Sequence, residues 1–209
     1  MNLLGILENG LFALAQLFRL PVIVLLWISV GAALFMAGGC VVEFLARRRE
    51  RAAFDLSAWL ESGAVLGADD ARLALLPVAL AGLLRDVEAE RGKAGKVKFG
   101  DGGLEHLVLE REERARHTLN GPRLLVKVGP SLGLLGTLIP MGTALAALTS
   151  GNLEAMAGQM VVAFTTTIVG LSAGTGAFVI QVVRHAWVNE TVREQRFLAE
   201  RVAGELARG

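Results

Sequence analysis

Two stretches free of any charged residue, roughly 128–153 and 155–183, stand almost back to back, and both are rich in glycine, threonine and serine. Each is longer than the about 20 apolar residues a helix needs to cross a bilayer, which confines the chain to folds built around a membrane hairpin. A segment that only anchors needs no hydroxyls. Yet Thr137, Thr143, Thr165, Thr166, Thr167 and Thr175 all fall at membrane depth, where a polar group is costly unless it finds a partner. The pattern predicts closely packed helices lining a polar path.

Of the 209 residues, 53% are hydrophobic and 20% charged, which fits together only if the apolar residues are gathered into spans with the charges between them. The net charge of +1 does not point to a nucleic-acid partner. The single cysteine, Cys40, lies in an apolar run and reads as a small buried hydrophobe; no disulfide framework, metal site or cofactor is expected. Residues 1–18 contain no Lys or Arg, unlike the basic start of a cleaved signal peptide. Leu3, Leu4, Leu7, Leu11, Leu14 and Phe18 recur at helical spacing instead. They predict a helix over 1–19 that lies at a membrane surface or packs on the first span.

A first transmembrane helix is expected over 20–45, with Pro21 in its first turn, where proline is tolerated. Arg47, Arg48, Arg49 and Arg51 follow it; Arg123 and Lys127 precede the second span; Arg184, Arg193 and Arg196 follow the third. The turn between spans two and three, Thr149–Glu154, has no basic residue. The bias toward Lys and Arg on the cytoplasmic side predicts three spans with the N-terminus outside and the C-terminus in the cytoplasm.

Residues 46–122 then form a cytoplasmic helical domain. Phe54, Trp59 and Leu60 continue an apolar stripe past the arginines, and Asp69 or Asp70 offers an N-cap for a helix running toward Arg91. That helix holds the apolar run Leu73–Leu84, too short to span and closer to a buried core helix, with Pro77 and Gly82 expected to bend or weaken it; a re-entrant hairpin is the alternative. Residues 92–103 form a Gly/Lys-rich loop that fails the phosphate-loop pattern, because Val97 follows Gly95-Lys96. Leu104–Leu119 reads as a charged helix, Asn120-Gly121-Pro122 as a break before span two, and 184–209 as a cytoplasmic C-terminal helix. No strand is expected. The fold class is all-α integral membrane, its three transmembrane helices extended into a cytoplasmic helical bundle.

Within the hairpin over 124–183, Gly129, Gly133 and Gly136 thin one region of span two, and Gly170, Gly174 and Gly176 do so in span three. Small residues at such spacing let membrane helices approach closely. Pro130 and Pro140 free backbone carbonyls that hydroxyls or water can satisfy. The plainer account of each threonine is a hydrogen bond to its own backbone one turn earlier.

A proline (Pro130), then Gly-Leu-Leu-Gly-Thr at Gly133–Thr137, a short hairpin, and Thr-Thr-x-x-Gly-Leu at Thr166–Leu171 resemble the MotA/TolQ/ExbB proton-channel family, most closely its three-span TolQ and ExbB branch. The resemblance implies a homo-oligomeric ring, typically a pentamer, around the single span of a smaller ExbD/TolR-type partner whose aspartate carries the proton. It also implies a prokaryotic inner-membrane location and a motor driven by the proton-motive force. By motif position Thr137 matches the first family threonine and Thr167 the second, with Thr166 and Thr143 as further candidates for the ion path. The chain departs from the pattern at Val162, where ExbB-like proteins place a glutamate, and spans two and three contain no ionisable residue. A non-conducting membrane scaffold is the competing reading. An enzyme is disfavoured because no span carries a catalytic pair and His106, His117 and His185 are dispersed.

Overall fold

The computed structural model describes residues 3–53, 56–61, 63, 65, 67, 69–93 and 101–206, so Phe54 and most of the Gly/Lys-rich loop lie outside the described residues. Every regular element among them is a helix: α1 (Leu3–Leu17), α2 (Arg19–Ala53), α3 (Leu56–Glu61), α4 (Asp70–Leu73), α5 (Val78–Lys93), α6 (Asp101–His117), α7 (Asn120–Thr149) and α8 (Leu153–Leu206). Three of these stretches, in α2, α7 and α8, are long and apolar enough to cross a membrane. The chain divides into two compact units, Met1–Cys40 with Gly121–Val182, and Val41–Asn120 with Val183–Gly209.

In the first unit, Val22 and Leu26 of α2 pack on Leu132 of α7, with Val128, Ile139 and Val169 beside them. Only 17%, 28% and 28% of the most apolar stretches of the three candidate spans is buried. Trp27 and Phe35 are 75% and 85% exposed. A surface so apolar is stable only against lipid or other helices. The N-terminal helix α1 reaches α7: a Cβ at Gly142 would lie 3.8 Å from the Phe12 ring.

The hairpin between α7 and α8 is built by local chemistry. Thr149 and Ser150 donate to the carbonyls of Ala146 and Ala147, and Gly151 takes the left-handed conformation (φ +73°) that ends a helix. Asn152 then caps α8, its Oδ1 accepting the Ala155 N–H at 3.0 Å. Glu154 sits in the first turn, where a negative charge suits the helix dipole. At the other end the break before span two falls at the Thr118-Leu119 turn, not at Asn120-Gly121-Pro122, which form the first turn of α7, where proline is tolerated.

The second unit has a core of the kind found in water-soluble helical domains. Leu80, Leu83, Leu84 and Val87 of α5 are each 1% exposed and pack with Trp59, Leu104, Val108, Leu198 and Val202. One expectation is corrected here. The apolar run from Leu73 to Leu84 is not a single helix but two: α4 stops at Leu73 and α5 begins after Pro77. Proline disfavours helical backbone at the residue before it, and the Pro77 carbonyl instead accepts the first N–H groups of α5, from Leu80 and Ala81. Gly82, in contrast, does not interrupt its helix; it leaves room for the Arg111 guanidinium, 3.1 Å from where a Cβ would be. Arg111 donates there to Asp86 at 2.6 and 3.0 Å.

Charge pairs complete this unit. Glu43 pairs with Arg47 at 3.3 Å and Arg184 at 3.6 Å, and Arg47 lies over the Trp187 ring at 5.4 Å. Glu112 of α6 accepts from Arg116 one turn on and from Arg196 of α8. These two guanidinium hydrogen bonds, Arg196 first, hold the Glu112 carboxyl below the usual carboxylate range. A lowered folded pKa stabilises above the unfolded value, and that contribution disappears as pH falls through the folded one. Glu112→Gln is therefore expected to lower the unfolding temperature at neutral pH by the equivalent of about 1–2 kcal/mol, allowing for screening at the half-exposed arginines. The difference from the parent should vanish well below about pH 4. A pH-independent difference in thermal unfolding would contradict this.

Candidate ion path in the hairpin

The seam between α7 and α8 is formed by the glycines singled out in the sequence. A Cβ at Gly129 would lie 2.9 Å from the Gly170 carbonyl oxygen, and one at Gly133 would lie 3.3 Å from Gly170 Cα. A Cβ at Gly136 would meet Thr166 Cβ at 2.7 Å, and one at Gly174 would meet Pro130 Cδ at 2.6 Å. These pairs run in antiparallel register, and at Gly129 and Gly133 they put backbone against backbone, the close approach that small residues permit. Buried Ala163, Ala173 and Ala177 extend the same face of α8. Gly176, grouped with these glycines in the sequence, is not part of the seam, since a Cβ there meets nothing within 4 Å.

Side-chain direction follows from this register. Helix α2 packs on the flank that carries Val128, Leu132 and Ile139 of α7 and Val169 of α8. With 3.6 residues per turn, Thr137 lies beyond Gly133 and Gly136 on the other flank of α7, and Thr167 on the corresponding flank of α8. Thr137 and Thr167 are thus brought to one side of the seam, at one level, away from α2. Their surroundings on that flank are the exposed Leu134, Met141, Phe164 and Leu171.

The other two candidates go elsewhere. Thr166 sits in the seam against Gly136 and, with Thr165, lines a cavity of about 270 Å³ shared with Ile23, Leu26 and Trp27 of α2. Thr143 follows Ile139 by one turn, on the α2 flank. Periodicity shows which residues share a helix face, but the location of α2 was needed to separate the two flanks. Pro130 as the partner of Gly174 was also missed, although the paired glycine spacings carried the register that implies it.

Every one of these hydroxyls donates to its own helix. Thr137 bonds to the Leu134 carbonyl at 2.7 Å, Thr143 to Pro140 at 2.8 Å, Thr165 to Val161 at 2.8 Å and Thr167 to Ala163 at 3.2 Å. Thr166 is shared between Val162 and Ala163 at 3.1 and 2.8 Å. A hydroxyl so engaged still has lone pairs to offer. Pro140 adds an acceptor, because it lacks the N–H that would bond to the Gly136 carbonyl. Among the described residues no cluster of His, Cys, Asp and Glu could hold a metal ion.

No curated protein and no solved structure matches the chain. Residues 100–196, which take in α6, α7 and most of α8, match the MotA/TolQ/ExbB proton channel family, a family of channels rather than enzymes. With its three candidate spans and its glycine-seamed hairpin inside the matched region, this chain is a multi-pass membrane protein carrying a MotA/TolQ/ExbB proton channel family domain.

Proposed function

We propose that the chain is a ring-forming, ion-conducting subunit, with protons as the ion, of a motor that couples the proton-motive force to movement of a single-span ExbD/TolR-type partner. The observation that carries this reading is the shared flank of Thr137 and Thr167. Two hydroxyls at one depth, turned away from the helix that covers the opposite flank, suit the lining of a central path rather than a lipid-facing surface. The family implies such a partner, and five copies follow from the resemblance. The largely uncovered apolar spans support assembly, because three spans cannot bury one another's faces. The N-terminus lies outside and the C-terminus in the cytoplasm, by the basic residues that flank the spans. The core containing α5 then belongs to the cytoplasmic side, together with the residues that follow span three.

Two measurements test this. Native mass spectrometry in detergent should show a homo-oligomer, with a pentamer expected; monomer alone would count strongly against a ring. Vesicles containing the chain with its single-span partner should acidify under an imposed potential, and vesicles lacking the partner should not. A well-formed ring that conducts nothing with any such partner would leave the scaffold reading in its place.

A further inference from the structure

One polar group in span three has no role in the path described above. Gln159 stands near the start of α8, and its Oε1 is buried with no hydrogen-bond donor among the described residues within reach. Its position one turn before Ala163, on the face that carries Gly170, turns it toward α7. The register that sets Gly136 against Thr166 carries on to place Gln159 level with Thr143 and Ala144. The Thr143 hydroxyl donates to Pro140, so it too presents lone pairs. The hairpin end of the seam therefore leaves a buried amide oxygen without a donor among the described residues, an arrangement that is costly in hydrocarbon.

No described residue supplies the donor, and whatever does has to be small. Gln159 Oε1 lies on the face turned toward α7, so a side chain of a neighbouring copy could reach it only by parting the two helices. A water molecule needs no such separation and brings two O–H groups. We propose that Gln159 binds water at the hairpin end of the seam and forms the first polar station through which protons reach Thr137 and Thr167. This rests on the channel reading and adds to it a residue outside the threonine pair.

Gln159→Met keeps the side-chain length and removes the amide. In the ring with its partner it should assemble normally and reduce partner-dependent proton flux by about tenfold, the rate equivalent of one hydrogen bond lost at the barrier. Gln159→Glu keeps the acceptor and should retain flux. In a Cys40→Ala background, Gln159→Cys should react with a small water-soluble thiol reagent. Ala157→Cys, on the opposite face of α8, should not. Unchanged flux in Gln159→Met would overturn the proposal. So would a weakened ring with an unreactive thiol at this site, which would assign the missing donor to a neighbouring copy. Normal flux in Gln159→Met beside a dead Thr137/Thr167 double valine refutes only the Gln159 station. Full flux in the double valine refutes the channel reading itself.

Discussion

Gly170→Ala is expected to part the two central helices and abolish recovery of a folded ring, whereas Gly176→Ala in the same helix should be silent. The added methyl at Gly170 would lie 2.7 Å from both the Gly129 carbonyl oxygen and Gly133 Cα. Both are backbone atoms of α7, so no side chain can swing aside and the whole helix must move. Overpacking usually costs about 1–3 kcal/mol when neighbours can adjust. Here the cost should reach at least the top of that range, and it recurs in every copy of a ring. At Gly176 the methyl meets nothing within 4 Å, and alanine is favoured over glycine in a helix by up to about 1 kcal/mol. Yield of assembled protein and its dissociation temperature in detergent measure both outcomes. A Gly170→Ala ring as stable as the parent would mean that the α7–α8 approach is looser than described.

The second large effect is functional. Replacing Thr137 and Thr167 together by valine should leave the ring intact and reduce partner-dependent proton flux by roughly a hundredfold, the loss of two hydrogen bonds at the barrier. Single valines should cost about tenfold, and Thr143→Val less, because Thr143 lies on the α2 flank. Assembly should survive because each hydroxyl bonds only to its own helix, at Leu134 and Ala163. Valine matches threonine in shape, and losing a bond to a carbonyl already in a helix costs that helix little. The partner's carboxyl needs an acceptor when neutral and a donor when ionised. The lone pairs are in place for the first; the second requires the hydroxyl to rotate off its backbone carbonyl. Full flux in the double mutant would sink the polar path and favour a scaffold.

Much of the fold was legible because membrane chemistry is written locally. The charge-free runs located the spans, and paired glycines named the contact faces before any partner helix was known. Leu73–Leu84 reads as a core helix for its length, and Leu73, Leu76, Leu80, Ala81, Leu83 and Leu84 are buried, while Leu75 and Val78 beside the Pro77 break are exposed. The break at Pro77 is also legible, since proline restricts the backbone of the residue before it, which ends a helix as readily as it bends one. What escaped was whatever depends on distant residues. The Glu112–Arg196 pair joins positions far apart in sequence, and Thr166 was separated from Thr167 only by where α2 packs. A spacing pattern can group side chains but cannot say what each group faces.

Because the threonine hydrogens are turned inward to the backbone, the flank that carries Thr137 and Thr167 presents oxygen lone pairs alone. Repeated around a ring, such a surface would act as an electron-rich collar. In this orientation it would receive a protonated acid, a hydronium ion or a bare cation directly, whereas chloride, which needs donors, would first have to turn the hydroxyls off their backbone carbonyls. The sign of the permeant charge would then be chosen by the fold of the helix itself, without a single formal charge in the wall. Discrimination among cations would fall to whatever moves through the centre.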